Sequence, residues 1–199
     1  FVDTVPPHAV TPVTGLPCEL LGTCAGSVGT NCVYRDPRTG DLITGNVANA
    51  GGAVHAYVLR LNGANVSSVI SVYLGTVVNL MGVNAVHVLR DGDILLANGN
   101  IQTGRTAFQP LVRWRPSTGA LTPVPLNQFY AGNNLCNALA VTSDERTAIV
   151  ACFAGWVGNR QQTDIVAVPV SGVGSLRVIA SLPIDEFVTQ FAWRCAGQL

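Results

Sequence analysis

From residue 31 to residue 195, short apolar runs rich in Val, Ile, Leu and Thr alternate with turns built from Gly, Pro, Asn and Asp. Runs of that kind between such turns predict β-strands. No sustained 3.6-residue apolar periodicity with caps is present, so no long helix is predicted. The pattern also repeats. NCVYRDPRTGDLITGN (31–46), NAVHVLRDGDILLAN (84–98) and NALAVTSDERTAIVAC (137–152) each open with Asn, run apolar and turn on Asp with Gly or Arg. Each then runs apolar again and ends in Asn, Asn or Cys. The opening residues Asn31, Asn84 and Asn137 are spaced by 53 residues both times, and TQFAWRC (189–195) begins a fourth unit. The second halves correspond too: 56–72, 110–126 and 164–182 each read strand, Gly-containing turn, strand.

Four short strands per unit of about 50 residues is the arithmetic of a β-propeller blade. The expected fold is therefore all-β: a β-propeller portion of about three four-stranded blades with spare terminal strands. A β-trefoil, also built of three four-stranded repeats, is the alternative. The chain reads as one repeat domain, with an N-terminal outer strand and loop at 1–30 and blades at 31–83, 84–136 and 137–188. The first strand of an incomplete blade occupies 189–199. AVTPVTGL (9–16) resembles ALTPVPLN (120–127), the outermost strand of the second unit. Three blades leave sheet edges and apolar faces to be covered. The expected partner is accordingly a second chain from the same precursor or a second copy in a homodimer.

Composition narrows the function classes. The formal net charge is zero and only 11% of residues are charged, which excludes the electrostatic footprint of a nucleic-acid binder. Apolar residues reach 48% without any run long enough to span a bilayer, so no membrane insertion is expected. All eleven cations are arginine, which excludes Schiff-base and phosphate-loop lysines. Six cysteines and the sequon Asn65-Val66-Ser67 favour a secreted chain, glycosylated at Asn65. Cytosolic metal binding is the competing reading, although no Cys-x-x-Cys is present and His8, His55 and His87 are not at ligand spacing. Cys136 and Cys152 lie equidistant from the turn at 143–146, facing each other in an antiparallel hairpin at bridging distance. Cys18 and Cys24 enclose a short loop and are expected to pair, leaving Cys32 with Cys195; other pairings stay open.

The strand, Asp/Gly turn, strand, Asn pattern of 84–98 resembles blades of the six-bladed propellers of the gluconolactonase and NHL-repeat type, over residues 31–195. In such propellers, ligands usually meet the face built from the connections between blades and between second and third strands. That face carries Asn46, Asn98, Asn100, Tyr130, Asn133, Trp156 and Arg160. Amides supply donors and acceptors for hydroxyl groups and aromatic rings supply flat platforms. These seven are the expected ligand-binding residues, for a glycan or another polar small molecule. Asn and Gly that simply populate solvated turns give the bland reading. The resemblance also implies a metal-dependent hydrolase of lactonase type, with a divalent cation such as calcium held by Asn46, Asn98 and Asp164. The chain has only three glutamates, and a hard cation prefers charged oxygen ligands, so another chain would complete that site. His87, mid-strand, and His55, at the rim, are the acid/base candidates alongside Asp164; a histidine bonded to a neighbouring strand is the structural alternative for His87. A serine triad has no support, since G-x-S-x-G is absent.

Overall fold

The computed structural model describes residues 11–48, 53–74, 82–99, 111–124, 136–157, 160–183, 186, 188 and 191. It is all-β apart from one helical turn, α1 (Cys18–Leu21), which is too short to leave a periodic signature. Twelve strands follow in chain order. The first repeat comprises β1 (Ser27–Arg35), β2 (Leu42–Ala48), β3 (His55–Asn62) and β4 (Asn65–Tyr73). In the second come β5 (Gly82–Val88), β6 (Ile94–Gly99), β7 (Leu111–Arg115) and β8 (Ala120–Pro123). The third holds β9 (Cys136–Val141), β10 (Thr147–Val157), β11 (Arg160–Pro169) and β12 (Arg177–Ser181). Within each repeat the four strands pair antiparallel in chain order, as a meander. The first strand starts at Ser27, earlier than the expected boundary at 31, because β1 extends back over Gly29 and Thr30 in register with Val47 and Asn46.

Alternation along the strands decides which face meets which neighbour. One row runs Tyr34–Ile43–Val58–Ile70 across the first repeat, and another runs Val88–Ile94–Trp114–Leu121 across the second. The two rows contribute to one core between these repeats, with Trp114 fully buried in it. The opposite face of the second repeat, carrying Leu95, Ala97 and Leu111, packs with Leu139, Val150 and Val166 of the third. Period-2 patterning thus buries both faces of the second meander, and the repeats stack face to face. Among the described residues, only Val47 and Gly82 are paired between the first two meanders, joining them into one eight-stranded sheet; the third stands as a separate sheet. Gly82 sits at φ +118°, and a Cβ there would fall 2.3 Å from the carbonyl oxygen of Asn46. No other residue fits that approach.

Polar latches tie the repeats at the turn end. Arg38 donates through Nη1 to the carbonyl of Arg90 at 2.9 Å, and Arg90 donates through Nη2 to the carbonyl of Ser143 at 2.5 Å. The Glu145 carboxylate accepts the Arg90 backbone amide at 2.9 Å. Each arginine side chain thus reaches a turn carbonyl of the following repeat.

The N-terminal segment differs from expectation. Residues 11–16 form no strand: Thr14 makes one parallel bridge with Asn65, and Leu16 and Leu20 pack on Tyr57 and Leu59. This segment covers the free face of the first repeat, burying Leu20 to 7% exposure, in place of adding an outer strand to a further sheet. Two of the expected bridges form, Cys18–Cys24 across the loop of α1 and Cys136–Cys152 between directly opposed positions of β9 and β10. They fit a chain that folds in an oxidising compartment. The third does not form: Cys32 carries a free thiol that donates to the carbonyl of Val83 at 3.5 Å, and Cys195 lies outside the described residues.

Candidate ligand groove

The opening strands β1, β5 and β9 lie side by side and line a groove of about 470 Å³. Stacking the three meanders in the same sense brings their equivalent positions together, which gives the repeated asparagine its structural meaning. Asn84 donates through Nδ2 to Oδ1 of Asn137 at 3.3 Å and to the carbonyl of Cys136 at 3.2 Å. Asn31 reaches Oδ1 of Asn84 at a longer 3.5 Å. These amides form a rung across the repeats at one end of the groove.

Further along the same strands, the rings of Tyr34 and His87 lie tilted at 42° to each other with centroids 6.3 Å apart, and Phe191 lines the same groove. Burial holds the His87 imidazole below its ordinary pKa, while the carboxylate of Glu145 pulls weakly the other way. The ring is therefore largely neutral near pH 7. Cys32 also lines the groove, and burial pushes its thiol up to about 12, with a smaller opposing pull from the backbone of Gly45. A thiol in that state is an inert, weakly polar wall, since the thiolate is the nucleophile. Among the described residues lining the groove there is no Asp, Glu or Arg. The arrangement offers neutral donors and acceptors beside aromatic surface, with no acid–base pair.

The carboxylates are engaged at the other end of the strands. Asp93, 3% exposed, accepts from Nε of Arg113 at 2.7 Å and from Nη2 of Arg115 at 2.9 Å. Asp36 accepts from Arg38 at 3.1 Å, and Asp41 from Arg60 at 3.4 Å; Arg113 also pairs with Asp91. Hydrogen bonds from Arg38 and from Arg115 hold the carboxyls of Asp36 and Asp93 below the usual carboxylate range, against a smaller upward push from burial. The hydroxyl of Thr142 does the same for Asp144.

The residues singled out from sequence divide. His87 lies in the groove. Asn46 does not offer a free amide: it is fully buried, donates to the carbonyl of Ala53 at 2.8 Å and accepts the backbone amide of His55 at 2.6 Å. Its side chain closes the connection between β2 and β3, which leaves it unfit for the ligand or metal role expected of it. His55 sits at the start of β3, its ring 5.3 Å from that of Tyr73 and 6.0 Å from that of Tyr57. Among the described residues its Nδ1 has no hydrogen-bond partner, and it does not line the groove. Asp164 on β11 is opposite Cys152 and Ser181 and accepts the Ser181 hydroxyl at 2.6 Å, again away from the groove. Asn98, Trp156 and Arg160 are placed by backbone alone, towards the ends of β6, β10 and β11. Asn100, Tyr130 and Asn133 lie outside the described residues. Asn65 is exposed at the start of β4, its Oδ1 accepting the hydroxyl of Thr14. Sequence reasoning overlooked Asn31, Asn84 and Tyr34 as site residues; the 53-residue recurrence of Asn was the available signal.

No family model matches the chain, and no curated protein matches it. Among solved structures it is similar to the extracellular domain of a hybrid two component system from B. thetaiotaomicron, with a TM-score of 0.37 and 13% identity over 83% of this chain. The chain spans 30% of the length of that structure, and a likeness at this level fixes neither fold family nor function.

Proposed function

We propose that the chain is a secreted binding module whose three repeats are consecutive blades of a β-propeller, and that it takes a neutral polyhydroxylated ligand such as a glycan in the groove of the opening strands. One observation carries the ligand reading: among aliphatic neighbours such as Val33, Val86 and Leu139, the groove is lined by two amides, a phenol, an imidazole and Phe191, with no charged side chain among its described residues. Amides present both donors and acceptors to hydroxyl groups, and aromatic faces suit the apolar side of a sugar ring. Three meanders paired in chain order, with opening strands side by side, support the propeller reading. The two bridges support secretion. In this reading the rest of the ring comes from another chain.

A glycan array followed by titration calorimetry tests it. The expected result is binding of a neutral oligosaccharide that survives EDTA and weakens about tenfold in Tyr34→Ala, roughly the loss of one aromatic platform and its packing. An array with no neutral glycan bound, or binding that Tyr34→Ala leaves intact, overturns the site. Lactone turnover abolished by EDTA would replace the binding reading with the hydrolase one.

A further inference from the structure

The two disulfides sit in contrasting places. Cys136–Cys152 is enclosed in the core, with both residues 0% exposed, whereas Cys18 is exposed and Cys24 half-buried. An attacking thiolate must reach a sulfur to open a bridge, so the two present unequal targets to one reductant. The exposed bridge closes the loop of α1, a helix of only four residues. A helix that short does not hold itself together. Its other ties to the first repeat include the packing of Leu16 and Leu20 on Tyr57 and Leu59 and a hydrogen bond between the Tyr57 hydroxyl and the Glu19 carboxylate. The Ser27 hydroxyl donates to the carbonyl of Glu19 at 2.6 Å. Thr14 donates to the carbonyl of Ala64 and accepts the amide of Val66, both at 2.9 Å.

The surface under this cap has counterparts in the other repeats. Val33, Leu42, Tyr57 and Leu59 lie on one face of the first meander. Val86 follows Val33 by 53 residues and packs in the core between the first and second repeats; Leu139 follows Val86 by 53 and packs in the core between the second and third. In that series the capped face is the one that meets a preceding repeat, and the N-terminal segment lies there instead. Its coverage stops short of Val33, which is 60% exposed. We infer that Cys18–Cys24 is a redox-sensitive clasp: a dithiol reductant opens it, the cap lifts, and the stacking face of the first repeat is uncovered while the core bridge stays closed. One thiolate of the dithiol attacks a sulfur of the bridge to form a mixed disulfide, which the second thiol displaces. The reductant leaves as its own disulfide, and Cys18 and Cys24 take up its two electrons and two protons as thiols. The clasp is independent of the groove and of the ligand bound there.

Graded dithiothreitol on the full native chain, with alkylation and peptide mass mapping, tests the clasp. The expected result is that Cys18 and Cys24 are alkylated together at least about tenfold sooner than Cys136 and Cys152, as their access dictates. Over the same interval the amides of Thr14 and Val66 should lose protection from hydrogen exchange, while those of β9 and β10 keep theirs. The double variant Cys18→Ser, Cys24→Ser should show the same loss at Thr14 and Val66 with no reductant present. Circular dichroism establishes that this variant is folded; should it not fold, the reduction series on the unaltered chain carries the test. Two bridges that reduce together overturn the inference. So does a bridge that opens while Thr14 and Val66 stay protected, since the cap would then be seated by packing alone. Glycan binding, found or absent, leaves each of these outcomes unchanged.

Discussion

The two ends of the opening strands use opposite chemistry. At the turn end, carboxylates and arginines meet, within repeats as Asp93 with Arg113 and Arg115 and Asp36 with Arg38, and between repeats as Glu145 with the backbone of Arg90. At the groove, the link is Asn84 to Asn137 and Cys136, with Asn31 beside it. Charge at the turns is neutralised locally and engaged in packing, so it is not available to a ligand. Amides in the groove keep spare donors and acceptors after linking the repeats. In a chain with only 11% charged residues, titratable side chains are therefore a poor guide to where a ligand goes.

Breaking the charged end should be the more damaging change. Asp93→Ala leaves Arg113 without its 2.7 Å partner beside the second and third repeats. Removing one member of a fully buried pair costs about 3–5 kcal/mol, but both arginines keep contact with water, at 25% and 54% side-chain exposure. We expect a loss of about 2 kcal/mol in urea unfolding, discounted for that screening, with no change in glycan affinity for the fraction that remains folded. Asn84→Ala should do the reverse. It removes one rung, about 1 kcal/mol of stability, and should weaken glycan binding about tenfold, as the loss of about 1.4 kcal/mol would. Equal effects of the two variants on affinity would erase the division of labour between the ends.

Much of this architecture was legible because packing enforces it. The equal spacing of Asn31, Asn84 and Asn137 survives in the structure as the rung, and the alternation in β5 to β7 reads directly as two buried faces. The Cys136–Cys152 bridge followed from hairpin register alone. Asn46 misled, because an Asn at a strand end looks the same whether its amide meets a ligand or its own loop; only the bonds to Ala53 and His55 tell them apart. The N-terminal segment misled for a related reason. Its apolar residues had to be buried, and strand pairing was one way to do it, but packing of Leu16 and Leu20 on Tyr57 and Leu59 does the same without a ladder. Tyr34 and His87 could be aligned by register, yet the groove they share needs the three-dimensional stack.

The smallest effect separates the two ends by pH. Burial lowers the His87 pKa below its ordinary 6.5, so the unfolded chain takes up this proton before the folded one does. Stability from the neutral ring is fully present above pH 6.5 and falls as pH drops through that value to the folded pKa. Asp93 and Asp36 are held below 3.8 by their arginines. Their contribution is present above about 3.8 and is lost only as pH falls through the depressed folded values. Urea midpoints measured from pH 8 to pH 3 should therefore fall in two stages, a shallow one below 6.5 and a steeper one below 3.8. In His87→Gln the first stage should flatten while the second persists; in Asp93→Asn the second should shrink while the first persists. A first stage unchanged by His87→Gln would mean that the groove histidine is solvated after all, and the neutral character of the groove would fail with it.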